Sequence, residues 1–256
     1  GKRSLEMTTE SRDLYREFFY LALSAADLVR DGVDPVSAVA RAISSWRALL
    51  RSSTRITPED EVGLIGEMWL LERLIRAAGV GQLHSWTAPL GEPHDFRLQS
   101  AEIEVKVTRK AQRIHLISGL RQLVPSAGQR LFLLSLQMEP AGAADGTTLP
   151  ESIASVSAAL AENPASLDLF GQCLERRSSY RTSDSDLYRD RFRLRTPAVL
   201  VPVADGCPAM TPAMVEQFLG PVLASRIGQV TYELNVDGLG FEDGSPSFLE
   251  ILPTRR

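Results

Sequence analysis

Residues Leu131–Met138 read LFLLSLQM, a nearly unbroken apolar run. A strand of that composition needs cover on both faces, so it has to lie inside a sheet with further layers above and below. Upstream, Glu102–Thr108 alternates. Ile103, Val105 and Val107 face one way, and Glu102, Glu104, Lys106 and Thr108 the other. Before both, Thr57-Pro58-Glu59-Asp60 combines a capping side chain, a proline suited to the first helical position and acids suited to the positive end of the dipole. That start predicts a helix to about Ala78, roughly 33 Å long. Central strands beside a long helix make the fold class α/β.

Composition narrows the function classes. The 256 residues are 44% apolar and 23% charged, a globular balance that excludes wholesale disorder. No apolar run approaches the roughly 18 residues of a membrane span, and no charged segment leads into an apolar signal core. Gly1–Glu6 reads like the remnant of an expression tag, with Met7 as the natural start. Cys173 and Cys207 are too few for a disulfide framework or a zinc motif, so a reducing cytoplasm is expected. The net charge of −4 means that nucleic-acid binding would need a local basic surface or a partner. No Walker, dinucleotide-glycine or Gly-x-Ser-x-Gly motif is present.

Periodicity divides the chain into an N-terminal helical region over 7–55, a core over 56–139 and a C-terminal α+β region over 150–256. Helices are expected over Leu14–Val29 and from Asp34-Pro35 to about Leu50, where Arg41, Arg47 and Arg51 flank the apolar stripe as a solvated face. Weak strands are expected at His84–Ala88 and Asp95–Leu98. Arg113–Ile117 reads as a strand followed by a short helix from Ser118. Helices at about Glu151–Glu162 and Pro164–Arg177 precede strands at Tyr188–Arg195 and Ala198–Val203. A helix from Thr211-Pro212 and a strand at Val230–Val236 follow.

The chemistry concentrates in Asp95-(eight residues)-Glu104-Val105-Lys106. Glu104 and Lys106 stand two residues apart on a strand, roughly 6.6 Å, and point into one space. A hairpin through Gln99–Ala101 would bring Asp95 to the neighbouring position. Two carboxylates and an ammonium then converge, a donor set suited to Mg²⁺ or Mn²⁺, with lysine placed for a phosphate oxygen or a water. Only three of the 28 basic residues are lysines, Lys2, Lys106 and Lys110, which sets Lys106 apart. Glu102 shares the face of Glu104 and is an alternative ligand. Gly63 and Gly66 flank a stretch of the long helix that ends in Glu67, permitting close packing or close approach to a sheet end.

These residues resemble the PD-(D/E)XK nucleases, which include many restriction endonucleases. Their motif is an acid, a short gap, Glu or Asp, one apolar residue and Lys, matched here by Asp95, Glu104, Val105 and Lys106. The resemblance implies a core of helix, strand meander, helix and strand, and a further acid on the first helix, matched by Glu67. It is similar to an uncharacterised prokaryotic branch associated with restriction and phage-defence genes. That branch shares the Gly-Glu helix, Asp95-Phe96, Glu-Val-Lys and Ser118-x-x-x-Gln122-Leu123. The likeness spans about Thr57–Leu136. It departs where His94 rather than proline precedes Asp95, and where Leu123 rather than tyrosine follows Gln122.

The resemblance implies a Mg²⁺- or Mn²⁺-dependent endonuclease acting on DNA, with Asp95, Glu104 and Glu67 as metal residues and Lys106 as the catalytic lysine. Gln122 is a candidate for phosphate or metal-water contact. Arg191, Arg193 and Arg195 share one face of an expected strand and could track DNA phosphates; the alternative is a solvated face that blunts edge pairing. One active centre cuts one strand, so double-strand cleavage would need a homodimer or a second event. The alternatives are a catalytically inactive DNA-binding or assembly subunit of a larger defence system, and an RNA nuclease.

Overall fold

The computed structural model describes residues 6–9, 14–50 (without the side chains of 47–50), 55–142, 144–204 and 206–252. The tag-like start through Leu5, the side chain of Arg47 and all of Arg51 lie outside the described residues. The chain divides into two compact units, Gly1–Thr54 and Arg55–Arg256.

The first unit contains α1 (Tyr15–Arg30) and α2 (Pro35–Leu50), where the apolar spacing predicts them. Asp34 caps α2, its Oδ2 accepting from Ser37 N at 3.1 Å.

The second unit opens with α3 (Pro58–Ala78), capped by Thr57, whose hydroxyl accepts from Asp60 N at 3.1 Å. Among the described residues its strands are β1 (Phe96–Arg97), β2 (Ala101–Thr108), β3 (Ile114–Ser118), β4 (Arg130–Pro140), β5 (Phe192–Leu194), β6 (Val199–Pro202), β7 (Thr231–Asn235) and β8 (Phe241–Glu242). Its later helices are α4 (Leu149–Leu160), α5 (Pro164–Arg177), α6 (Pro212–Leu219), α7 (Pro221–Ala224) and α8 (Pro246–Ile251).

A mixed sheet runs β1-β2-β4-β6-β8, with β5 on the far end of β4. The β2–β4 pair is parallel and the other pairs are antiparallel. The apolar run of Leu131–Met138 is the sheet's central strand, flanked by β2 and β6. Its alternate side chains serve two cores. Phe132, Leu134, Leu136 and Met138 join α3, α4 and α5. Leu133 joins Val199 and Val201 of β6 with Ile117 and Leu234 of the separate β3–β7 ribbon. Strands from 150–256 therefore complete the same sheet and ribbon as strands from 56–139, and the two stretches are parts of one unit.

Three local expectations are corrected. Residues Val80–Ser85 and Ala88–Leu90 form 3-10 turns, so the strand expected over His84–Ala88 is reduced to a bridge from Trp86 to Phe96, with the Thr87 and Ala88 amides both donating to Asp95 O. No helix follows Ser118. Gly119, at φ 102°, ends β3 in a conformation that other residues avoid, and its N–H bonds Val230 O at 2.7 Å. The strand expected over Tyr188–Arg195 shrinks to Phe192–Leu194, where β4 offers a partner.

The approach of α3 to the sheet depends on Gly66. A Cβ there would lie 2.5 Å from Val107 Cγ2 and 3.2 Å from Leu136 Cδ1, whereas one at Gly63 would meet nothing within 4 Å. The two glycines thus have different reasons: Gly66 admits the sheet, and Gly63 faces open space.

Candidate active site

The site forms where the edge of the sheet is incomplete. Strand β1 pairs Phe96 with Ile103 and Arg97 with Glu102, and the hairpin closes as Leu98 N donates to Ala101 O at 2.7 Å. Extending that register sets Asp95 opposite Glu104, as the hairpin reading predicts. Beyond Phe96 the backbone of β1 no longer serves β2, and the carboxylate of Asp95 takes over: Val105 N donates to Asp95 Oδ2 at 2.8 Å. An edge amide that would otherwise lack a partner is thereby satisfied, and Asp95 is tied to the strand carrying Glu104 and Lys106.

Glu104 is buried, and its Oε1 lies 3.1 Å from Lys106 Nζ. Gln122 Nε2 donates to the same oxygen at 2.8 Å, while Gln122 Oε1 accepts from Ser118 N at 2.9 Å. Gln122 thus joins the site through the Glu104 carboxylate. Among the described residues, no hydrogen bond reaches Asp95 Oδ1 or Glu104 Oε2.

Glu67 comes from α3, one residue beyond the glycine that lets the helix close on β2. It is 2% exposed, and both its oxygens are engaged. Trp86 Nε1 donates to Oε2 at 2.8 Å, and Arg177 donates through Nε at 3.0 and 3.1 Å and through Nη2. Arg177 is the last residue of α5, whose buried Phe170, Cys173 and Leu174 dock the helix. Phe170 lies against Trp86, ring centroids 6.0 Å apart. Sequence reasoning did not assign Arg177 or Trp86 to the site. Their only local signal was a helix ending in arginine, which the helix dipole already accounts for.

The acids perturb one another. Burial first, then the charge of Asp95, pushes Glu104 up to about 8, against the pull of Lys106. Burial and Asp95 likewise push Glu67 up to about 7, against Arg177. Burial raises Asp95 despite its bond from Val105 and the nearby Lys106 and Arg177. Carboxyl groups that hold protons near neutrality because burial, and then a neighbouring like charge, disfavours their ionised form release those protons readily to a cation.

Asp95, just before β1, and Glu104, on β2, fit a hard divalent ion, each keeping an oxygen free of hydrogen bonds. Glu67 does not fit as a third ligand in this arrangement, since both of its oxygens accept from Arg177 and Trp86. Among the described residues, no group of three or more His, Cys, Asp or Glu side chains has the spacing to hold a metal ion.

Other candidates lie apart. Glu102 is bound by Arg97 at 3.0 and 3.1 Å and by Ser126 N at 2.9 Å, with His94 Nδ1 3.0 Å away. It is a structural acid of the hairpin. Arg191 pairs with Glu151, Arg193 with Glu139 and Asp145, and Arg195 with Glu139. Arg193 stands opposite Glu139, six residues along β4 from Leu133, the neighbour of Glu104. That is roughly 20 Å along the strand. The three arginines do not join the carboxylates. His115, on β3 of the ribbon, is buried with Nε2 2.7 Å from Ser135 Oγ of β4, and burial, followed by Lys106 and Arg113, pushes it down to about 3.

No curated protein and no solved structure matches the chain. One family does: DUF4420, described as "Putative PD-(D/E)XK family member", matches residues 2–237. A mixed α/β sheet, a helix closing on it through Gly66, and an Asp–Glu-x-Lys hairpin at its edge accord with that match, and the chain belongs to this PD-(D/E)XK family.

Proposed function

We propose that the chain is a metal-dependent nuclease that hydrolyses DNA phosphodiester bonds, with Mg²⁺ or Mn²⁺ held by Asp95 and Glu104. One observation carries this reading: Asp95, Glu104 and Lys106 meet on one strand pair, with an oxygen of each carboxylate left without a hydrogen bond. The chemistry supplied by a bound ion would be polarisation of the phosphate and acidification of a water. The protein's own groups do the rest. Gln122 holds the Glu104 carboxylate in one orientation. Lys106, leaning on Glu104, directs a water toward the phosphorus and offsets the charge that develops on the phosphate oxygens. The restriction or phage-defence setting, and partner subunits within it, rest on the sequence resemblance. DNA rather than RNA as substrate is part of the proposal, as is a homodimer for cutting both strands.

Calorimetric titration of Mn²⁺ into the wild type and into an Asp95→Ala, Glu104→Ala double variant tests the ion site. Binding is expected in the first and lost in the second. Cleavage of plasmid DNA, with an RNA of matched length as competitor, tests the activity. Lys106→Ala should abolish cleavage with the fold intact, and undiminished cleavage in that variant would refute the assignment. A second reading, a non-catalytic DNA-binding or assembly subunit, is favoured by the engagement of both Glu67 oxygens. Absence of Mn²⁺ binding with and without DNA would select it.

A further inference from the structure

Arg177 reaches the site from 110 residues beyond Glu67 and has no role in the reading above, on which the following rests. Its Nε and Nη2 both face the Glu67 carboxylate, which fixes the plane of the guanidinium. Its Nη1 makes no hydrogen bond among the described residues, and the side chain is 29% exposed. One edge of the group is therefore locked and the other is open.

We infer that Arg177 is a phosphate-binding residue of the site, and that Glu67 is its positioning residue and not a metal ligand. Three physical points support this. First, Glu67 is held from two sides: Trp86, buried and packed on Phe170, donates to Oε2, and Arg177 covers Oε1. Turning Glu67 toward an ion would strand a buried indole N–H and leave a guanidinium without its partner, each a substantial penalty. Second, a pair whose only task was filling space would be served as well by apolar side chains, which need no desolvation of charge. An arginine kept half open beside acids has a use for its free edge. Third, a phosphodiester anion approaching Asp95 and Glu104 meets like charge. Arg177, held charged by Glu67, Asp95 and Asp60 against the effect of burial, adds to Lys106 a second cation with planar geometry suited to phosphate oxygens. The ligand class is the backbone phosphate of a nucleic-acid substrate.

The test uses the full chain, a fluorescein-labelled DNA duplex in EDTA with anisotropy as readout over a series of KCl concentrations, and Mn²⁺ calorimetry in parallel. Arg177→Gln and Glu67→Gln should each weaken duplex binding roughly tenfold and lower the salt slope by about one unit. The double variant should be no weaker than either single, since both remove the same contact. Glu67→Gln should keep Mn²⁺ affinity within about twofold, whereas Glu104→Gln loses it. Arg177→Lys keeps the charge, guards against misfolding, and should still lose several-fold in duplex binding because one ammonium cannot span carboxylate and phosphate. Loss of Mn²⁺ binding in Glu67→Gln would overturn the inference by making Glu67 a ligand. Unchanged duplex binding and salt slope in folded Arg177→Gln or Arg177→Lys would overturn it by making the pair structural. In both cases the nuclease reading survives. A wild type that binds neither Mn²⁺ nor duplex overturns both.

Discussion

Gly66→Ala should destabilise the protein, while Gly63→Ala, three residues earlier on the same helix, should stabilise it. The added methyl at Gly66 would sit 2.5 Å from Val107 Cγ2, 3.2 Å from Leu136 Cδ1 and 3.3 Å from Val105 Cγ1. Carbon atoms pack at about 3.5–4.0 Å, so the helix or the strand has to move. Val107 is β-branched and has few rotamers to retreat into, and β2 is hydrogen-bonded to β4 along its whole length. Overpacking of this kind costs about 1–3 kcal/mol, against a gain of about 1 kcal/mol from replacing a helical glycine by alanine. At Gly63 only the gain applies. The variants should therefore straddle the wild type, separated by about 1–3 kcal/mol. Urea unfolding measures this as a difference in midpoint at constant slope. Because Gly66 adjoins Glu67, the displaced helix should also weaken duplex binding in Gly66→Ala and leave it unchanged in Gly63→Ala. If Gly66→Ala proves as stable as Gly63→Ala, α3 does not rest on β2 as described and the placement of Glu67 falls with it.

Stability of the metal-free protein should fall as pH rises from about 4.5 to about 8. Folded Glu67 and Glu104 hold protons up to about 7 and about 8, while both groups ionise near 4.5 when unfolded. In that window the native state binds more protons, and each such group loses about 1.4 kcal/mol per pH unit until its folded pKa is passed. Glu104→Gln should flatten the curve in thermal unfolding, and a wild-type stability that rises over the window would contradict the burial of these acids. Arg113→Met should cost about 2–4 kcal/mol by urea unfolding. Its guanidinium donates to Ser135 O and Oγ, Thr196 Oγ1 and Pro197 O, joining the ribbon to the sheet; a cost under about 1 kcal/mol would show that these bonds do not hold it there. Replacing Arg191, Arg193 and Arg195 with glutamine should leave the salt slope of duplex binding unchanged, because Glu139, Asp145 and Glu151 already neutralise them. A slope lowered by two or three units would add this face to the DNA surface.

Much of the framework is local and therefore legible in the amino-acid order. A capping threonine, a proline and first-turn acids mark the start of α3 without reference to anything distant. Alternation along Glu102–Thr108 sets which side chains share a face, because the period of a strand is two. The gap of eight residues between Asp95 and Glu104 suits a hairpin, and the hairpin alone brings those carboxylates together. What the order of residues leaves open is the choice of partner. His84–Ala88 has the composition of a strand, but it meets β1 only at the Trp86–Phe96 bridge and through Asp95 O, and the chain on either side coils into 3-10 turns. The chain after Ser118 could wind as a helix; instead β3 pairs with β7, more than a hundred residues later, and Gly119 turns away. The arginines near residue 193 read as a basic strip, but tertiary pairing places acids of β4, α4 and the loop between them beside that strip. Glu67 reads as a metal acid from its place on the first helix. Only the docking of α5 on Trp86 brings Arg177 against it, and a carboxylate with both oxygens committed is a different chemical group from one that is free.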